Sequence, residues 1–107
     1  MILVTTETVP GRNIEKSVGL VRGNTVRARH IGRDIIATLR NLVGGEISEY
    51  SELMTEARNE ALKRMIAQAE QQGADAIVGI RFITAQISRG SAELVAYGTA
   101  VRLRENA

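Results

Sequence analysis

The sequence predicts an α+β fold, a small antiparallel sheet of about four strands with two helices packed on it. One observation is a helical pattern over residues 51–72 that ends at Gly73 and gives way to a strand-like apolar run. Another is that the two last apolar runs, residues 76–87 and 93–103, are separated by the turn-forming residues 88–91. A sheet built around a hairpin and covered by helices follows from this pattern.

The N-terminal part of the chain reads as two strands joined by a turn. Residues 2–5 form a short apolar strand, and residues 9–12, Val-Pro-Gly-Arg, have the composition of a β-turn. Residues 14–21 alternate with period two, as in a half-buried strand. Gly23-Asn24 is expected to interrupt that strand.

Two amphipathic helices are expected next. Apolar residues recur at spacings of three and four over residues 33–43, and Gly44-Gly45 ends this pattern. Ser51 is the expected N-cap of the second helix. That helix has one broad apolar face, made of Tyr50, Met54, Ala57, Ala61, Leu62, Met65 and Ala69.

The C-terminal hairpin is apolar on both faces near its middle. One side of the last strand carries Val95, Tyr97, Thr99, Val101 and Leu103, and the other carries Leu94, Ala96, Gly98 and Ala100. Two helices in one subunit can cover only one face of the sheet, so we expect a second subunit to cover part of the other face.

Length and composition restrict the function. The 107 residues form one expected domain, 1–107, and the 44% hydrophobic and 24% charged fractions are ordinary for a globular protein. A net charge of +2 provides no overall field for nucleic acid or anionic lipid, and the absence of cysteine excludes disulfides, thiolate metal sites and cysteine nucleophiles. No apolar segment is long enough for a signal peptide or a membrane span, so we expect a cytoplasmic protein without membrane contact.

Metal-ligating residues are few. His30 precedes Asp34 by four residues, so both could face one ion on a helix, but zinc needs three or four ligands and His30 is the one histidine. We therefore expect a surface histidine, and a soft-metal site only if copies of His30 meet between subunits. A divalent metal is the one cofactor that stays open.

The second helix also carries a run of carboxylates, Glu49, Glu52, Glu56 and Glu60. The simplest interpretation is that they are solvated and suit the positive end of the helix dipole, with Arg64 pairing with Glu60. Alternatives are a basic surface on a neighbouring subunit, or a hard cation.

Arg58 is expected on the apolar face, between Met54 and Leu62. There it should form a buried or interfacial ion pair, with Asp34, Glu46 or Asp75 as candidate partners. An anion-binding role is the alternative.

Nucleic-acid binding and catalysis have little support. A basic segment precedes and enters the first helix, with Arg22, Arg27, Arg29, Arg33 and Arg40. The three aromatic residues are scattered over separate elements, so no stacking platform can be assembled. Because no phosphate loop, Rossmann fingerprint or nucleophile elbow is present, we expect a protein that is not an enzyme.

Several short segments together resemble a known family. They are Arg33-Asp34, Gly44-Gly45-Glu46, Tyr50, Ala57-Arg58, Gly73-Ala74-Asp75-Ala76 and Gly98-Thr99-Ala100-Val101. In this order and spacing they resemble the YbjQ-like family of small bacterial and archaeal proteins, which carries a heavy-metal-binding label, and the likeness spans nearly the whole chain.

The resemblance implies an α+β subunit assembled into a ring-shaped homopentamer without an established reaction. The motif glycines would allow close packing, and a polar set would position helices and subunits as a ligand-binding or interface region: Arg33, Asp34, Gly44, Gly45, Glu46, Arg58 and Asp75. From the sequence we expect a non-enzymatic, oligomeric binding or scaffold protein whose ligand is unknown, with a metal-binding protein whose site lies between subunits as the alternative.

Overall fold

A computed structural model describes residues 1–27, 47–88 and 91–105. The elements, in chain order, are strand β1 (Ile2–Leu3), strand β2 (Ile14–Arg27), helix α1 (Ile47–Gln71), strand β3 (Ala76–Ser88) and strand β4 (Ser91–Leu103). The four strands form one sheet in the order β1-β3-β4-β2, and α1 packs on one face of it. The predicted α+β class is confirmed, while the predicted helix at residues 33–43 lies outside the described residues.

The sheet is mixed, so the expectation of a wholly antiparallel sheet is wrong for one pair. β3 pairs antiparallel with β4, and β4 pairs antiparallel with β2, but β1 runs parallel to β3. The parallel pairing continues beyond β1, because Val4 N donates to Ile77 O at 3.0 Å and Gly79 N donates to Thr6 O at 2.8 Å. A two-residue strand has too short a pattern to reveal the direction of its partner.

β2 continues through Gly23-Asn24 instead of breaking there. The expected interruption is absent because Gly23 makes room for the helix: a β-carbon at this position would overlap Ala61 O and Met65 N of α1. The glycine therefore marks a close approach of two backbones and does not end the strand.

The long helix begins four residues before the predicted N-cap, so Ser51 lies inside α1. Its C-terminal end matches the prediction. Gly73 has a φ of 74°, its N–H donates to Glu70 O at 3.0 Å, and Ala74 N donates to Ala69 O at 3.1 Å. These two bonds form a Schellman motif, which satisfies carbonyl groups that the end of a helix leaves free.

Two apolar clusters lie on opposite faces of the sheet. The cluster between α1 and the sheet consists of Val21, Ala61, Met65, Ala69, Ile77, Ile80, Ala96 and Ala100. The other, Val9, Ala76, Val78, Val101 and Leu103, packs with Val4 and Ile14. The N-terminal segment therefore covers one end of the face that α1 does not cover.

Candidate functional site

Most of the site residues predicted from the sequence lie outside the described residues, and their roles stay predictions. They are His30, Arg33, Asp34, Gly44, Gly45 and Glu46. The structure describes the two others, Arg58 and Asp75, and it does not bring them together. Arg58 lies in the middle of α1, and Asp75 directly precedes β3.

Arg58 is exposed in the subunit, so the expectation that it would be buried on the apolar face is wrong within one chain. Its guanidinium donates to Thr55 Oγ1 at 3.4 Å, one turn away on α1. The buried face of α1 is a narrow stripe that includes Ala57 and Ala61, whose small side chains let α1 lie close to β2. A pairing of Arg58 across a subunit interface stays a prediction.

Asp75 joins three strands. Its Oδ2 accepts a hydrogen bond from Leu103 N at 2.8 Å, its N–H donates to Val101 O at 2.9 Å, and its carbonyl accepts from Ile2 N at 3.2 Å. The carboxylate thus caps the end of β4 where the backbone pairing with β3 ends. Asp75 positions strands within the subunit in this way, while its expected role in positioning helices and subunits stays a prediction.

A groove of about 660 Å³ opens beside Asp75, at the end of the sheet where β2 and β3 begin and β4 ends. We call it the arginine groove, after Arg12, Arg102 and Arg104. Its lining residues are Ile2, Arg12, Glu15, Asp75, Arg102, Leu103, Arg104 and Glu105.

Sequence reasoning did not find the arginine groove. Arg12 lies about 90 residues before Arg102 and Arg104, and only the register of β2 on β4, with Ile14 opposite Leu103, brings them to one end of the sheet. The available signal was the last strand, where Arg102 and Arg104 flank Leu103.

A second candidate surface lies on the face of the sheet opposite α1. We call it the open sheet face and define it by residues that lie on that one face, Leu20, Ile83, Val95, Tyr97 and Thr99. Leu20 lies opposite Thr99 and Ile83 opposite Val95, while Tyr97 lies between Arg22 and Arg81. Leu20 is 68% exposed and Ile83 is 51% exposed, and the other three are half-buried. This surface is the apolar side of the hairpin that the sequence predicted to need cover.

The carboxylate run on α1 shows one ion pair. Glu60 Oε1 lies 3.2 Å from Arg64 Nε, as predicted, and both side chains are about half exposed. Arg64 also donates from Nη1 to Asn24 O at 2.6 Å, which ties α1 to β2. Glu56 is exposed, in accord with the interpretation of a solvated helix face.

Metal ligands do not cluster in the part of the chain that the structure describes, since no group of three or more His, Cys, Asp or Glu side chains is found there. His30 lies outside that part. Within the described ranges, no helix has the length and apolar character needed to cross a membrane.

Comparisons with known proteins agree on the family. A family model described as "Putative heavy-metal-binding", YbjQ, matches residues 1–104. A UPF0145 protein of Archaeoglobus fulgidus is 60% identical over 97% of this chain and 96% of its own length. Another, from Psychromonas ingrahamii, is 56% identical over 98% of this chain and all of its own length.

One solved structure supports the fold. It is a crystal structure of a protein of unknown function from Pediococcus pentosaceus, assigned to the DUF74 family. It superposes with a TM-score of 0.63, covering 97% of this chain and 98% of that one, at 17% sequence identity.

Proposed function

We propose that this chain, a member of the YbjQ family, works as a non-enzymatic, self-associating binding or scaffold protein. The family is described as heavy-metal-binding, and the names of its UPF0145 members state no function. The observation that carries this proposal is the open sheet face. Leu20 and Ile83 are large apolar side chains that are more than half exposed in the single subunit. Ile83 lies opposite the half-buried Val95, and Leu20 lies opposite Thr99 on the same face of the sheet.

Exposed large apolar side chains on one face of a small domain favour a protein–protein contact, because their burial is favourable by about 25 cal/mol per Å². A second copy of the chain is the partner that we propose. The hairpin is apolar on both of its faces, and, among the described residues, neither α1 nor residues 4–14 cover this part. A ring of five copies is the assembly that the family resemblance implies.

Light scattering coupled to size-exclusion chromatography tests this proposal. We expect a mass several times the 11.6 kDa of one chain. Ile83→Glu places a charge on the open sheet face and should shift the mass toward one chain, while Thr84→Glu, on the other face of the same strand, should not. A monomeric parent, or equal masses for both variants and the parent, would refute the role of this face.

The second candidate function is metal binding between subunits, and the description of the matching family favours it. The described residues of one chain offer no cluster of metal ligands, so such a site needs residues outside the described ranges, among them His30, or residues from more than one copy. Soft divalent ions prefer thiolate and imidazole ligands, and this chain has no cysteine and one histidine.

Zinc calorimetry separates the two functions. Submicromolar zinc binding that is lost in both His30→Ala and Ile83→Glu would establish a site that needs the histidine and the assembly. Weak binding that is the same in the parent and in His30→Ala would leave the scaffold function as the conclusion. Lys63→Ala, an exposed residue of α1 that is no metal ligand, serves as the control.

A further inference from the structure

We infer that the arginine groove binds a small ligand through one oxyanion group, either a phosphate or a carboxylate. This site goes beyond the proposed function, because it lies within a single chain and does not depend on self-association. Its lining includes three guanidinium groups, those of Arg12, Arg102 and Arg104. Guanidinium is planar and pairs with both kinds of oxyanion through two parallel hydrogen bonds.

The backbone holds these arginines in place. Arg12 closes a turn in which its N–H donates to Val9 O at 3.0 Å, and Gly11 in that turn has a φ of 81°. Arg104 N donates to Asn13 O at 2.8 Å, which continues the pairing of β4 with the chain before β2. Arg102 lies within β4 itself. The backbone that carries the three arginines is therefore fixed before binding, which lowers the part of the entropic cost that comes from ordering the chain.

The three guanidinium groups form no direct ion pair with the described carboxylates that line the groove. Among the described residues, the ion pair found is that of Glu60 with Arg64, so none joins Arg12, Arg102 or Arg104 to Glu15, Asp75 or Glu105. One oxygen of Asp75 is already occupied by the backbone N–H of Leu103. The arginines thus keep their hydrogen-bonding capacity for a ligand.

The side chain of Arg12 gives a second, independent reason to expect an oxyanion in the groove. Its Nε is buried and has no hydrogen-bond acceptor within reach among the described residues. A buried donor without an acceptor is rare and unfavourable in folded proteins. An oxyanion in the groove that accepts from the same guanidinium, with a small rotation of that group, would compensate the missing bond.

The volume of the groove and its carboxylates restrict the size and the charge of the ligand. A volume of about 660 Å³ suits a small molecule larger than a bare phosphate ion. Glu15 and Glu105 also line the groove, and they repel ligands with several negative charges. We therefore assign a ligand with one oxyanion group and a neutral or cationic remainder.

Titration of the full chain with inorganic phosphate and, separately, with acetate, followed by amide NMR shifts, tests the site. We expect saturable shifts at Leu103 and Arg104 with at least one of the two anions. Tighter binding of phosphate assigns a phosphoryl group to the ligand, and tighter binding of acetate assigns a carboxylate.

Matched variants decide whether the arginines are responsible. Arg12→Gln and Arg104→Gln should each weaken binding about tenfold, since each removes a charge-assisted contact. Lys16→Gln removes an exposed charge opposite Arg102 on β2, outside the groove lining, and should change the affinity less than about twofold. Two arginine variants guard against a folding defect in either one.

The proposal is overturned if neither anion gives saturable shifts, or if Lys16→Gln weakens binding as much as Arg12→Gln does, because a diffuse positive field would then explain the effect. The same samples report the oligomeric mass. Loss of anion binding with an unchanged mass separates failure of this site from failure of the scaffold function.

Discussion

Gly23 of β2 lies directly against the carbonyl oxygen of Ala61 in α1, at a distance that admits no β-carbon. This contact sets how closely the helix approaches the sheet. It is flanked by a hydrogen bond from the buried Thr25 Oγ1 to Ala57 O at 3.5 Å and by the bond from Arg64 to Asn24 O. The helix and the edge strand are thus in close backbone contact at Gly23 and are joined by two hydrogen bonds from side chains to backbone carbonyls.

Gly23→Ala should destabilise the protein by about 3 kcal/mol, at the upper end of the range for overpacked cores, because the added methyl group overlaps backbone atoms that cannot rotate away. Thermal or urea unfolding measures the loss. Ser17→Ala, an exposed position of the same strand, should change the free energy of unfolding by less than about 0.5 kcal/mol. Equal stabilities for the two variants would show that α1 lies farther from β2 than described.

Asp75→Ala should lower the free energy of unfolding by about 1–3 kcal/mol, because it leaves Leu103 N without its acceptor at the end of β4. Asp75→Asn keeps an acceptor oxygen at the same place and should retain most of the stability. Urea unfolding of both variants provides the measurement. Identical losses in Ala and Asn would mean that the charge, and not the hydrogen bond, matters at this position.

Arg64 should matter more than its ion-pair partner. Arg64→Ala removes both the bond to Asn24 O and the pair with Glu60, and we expect a loss of about 1 kcal/mol. Glu60→Ala removes the pair alone, which is half exposed, and should cost less than about 0.5 kcal/mol. A larger loss for Glu60→Ala in chemical denaturation would contradict the tie between α1 and β2.

Arg58→Ala should leave the stability of the isolated subunit within about 0.5 kcal/mol, because the side chain is exposed. The melting temperature should be measured at several protein concentrations. If the melting temperature of Arg58→Ala falls further below that of the parent as the concentration rises, Arg58 lies in a contact between copies. A large fall that does not depend on concentration would instead support the buried ion pair first expected from the sequence.

The sequence predicts those parts of the fold that depend on local patterns. The end of α1 at Gly73, the hairpin of β3 and β4, and the buried stripe of Ala57, Ala61 and Met65 follow from periodicity and turn residues. Arg58 shows the limit of the helical wheel, which gives an angle around the helix but not the width of the buried stripe.

Local sequence patterns do not show which distant strands pair with each other, or in which register. The parallel partner of β1 and the passage of β2 through Gly23 depend on which segments meet in space. The same holds for the arginine groove, since Arg12 and Arg104 approach each other only when β2 and β4 pair in one register. The candidate site was therefore less predictable than the elements that build it.

The strand order has a consequence for how the chain reaches this structure. β1 pairs with a strand that begins at residue 76, and β2 pairs with the last strand of the chain. Neither N-terminal strand can therefore pair as described until most of the sequence has emerged from the ribosome, and pairing over such separations makes folding slow. The early chain has its apolar strands unprotected during this interval, which exposes newly made copies to aggregation before the sheet closes.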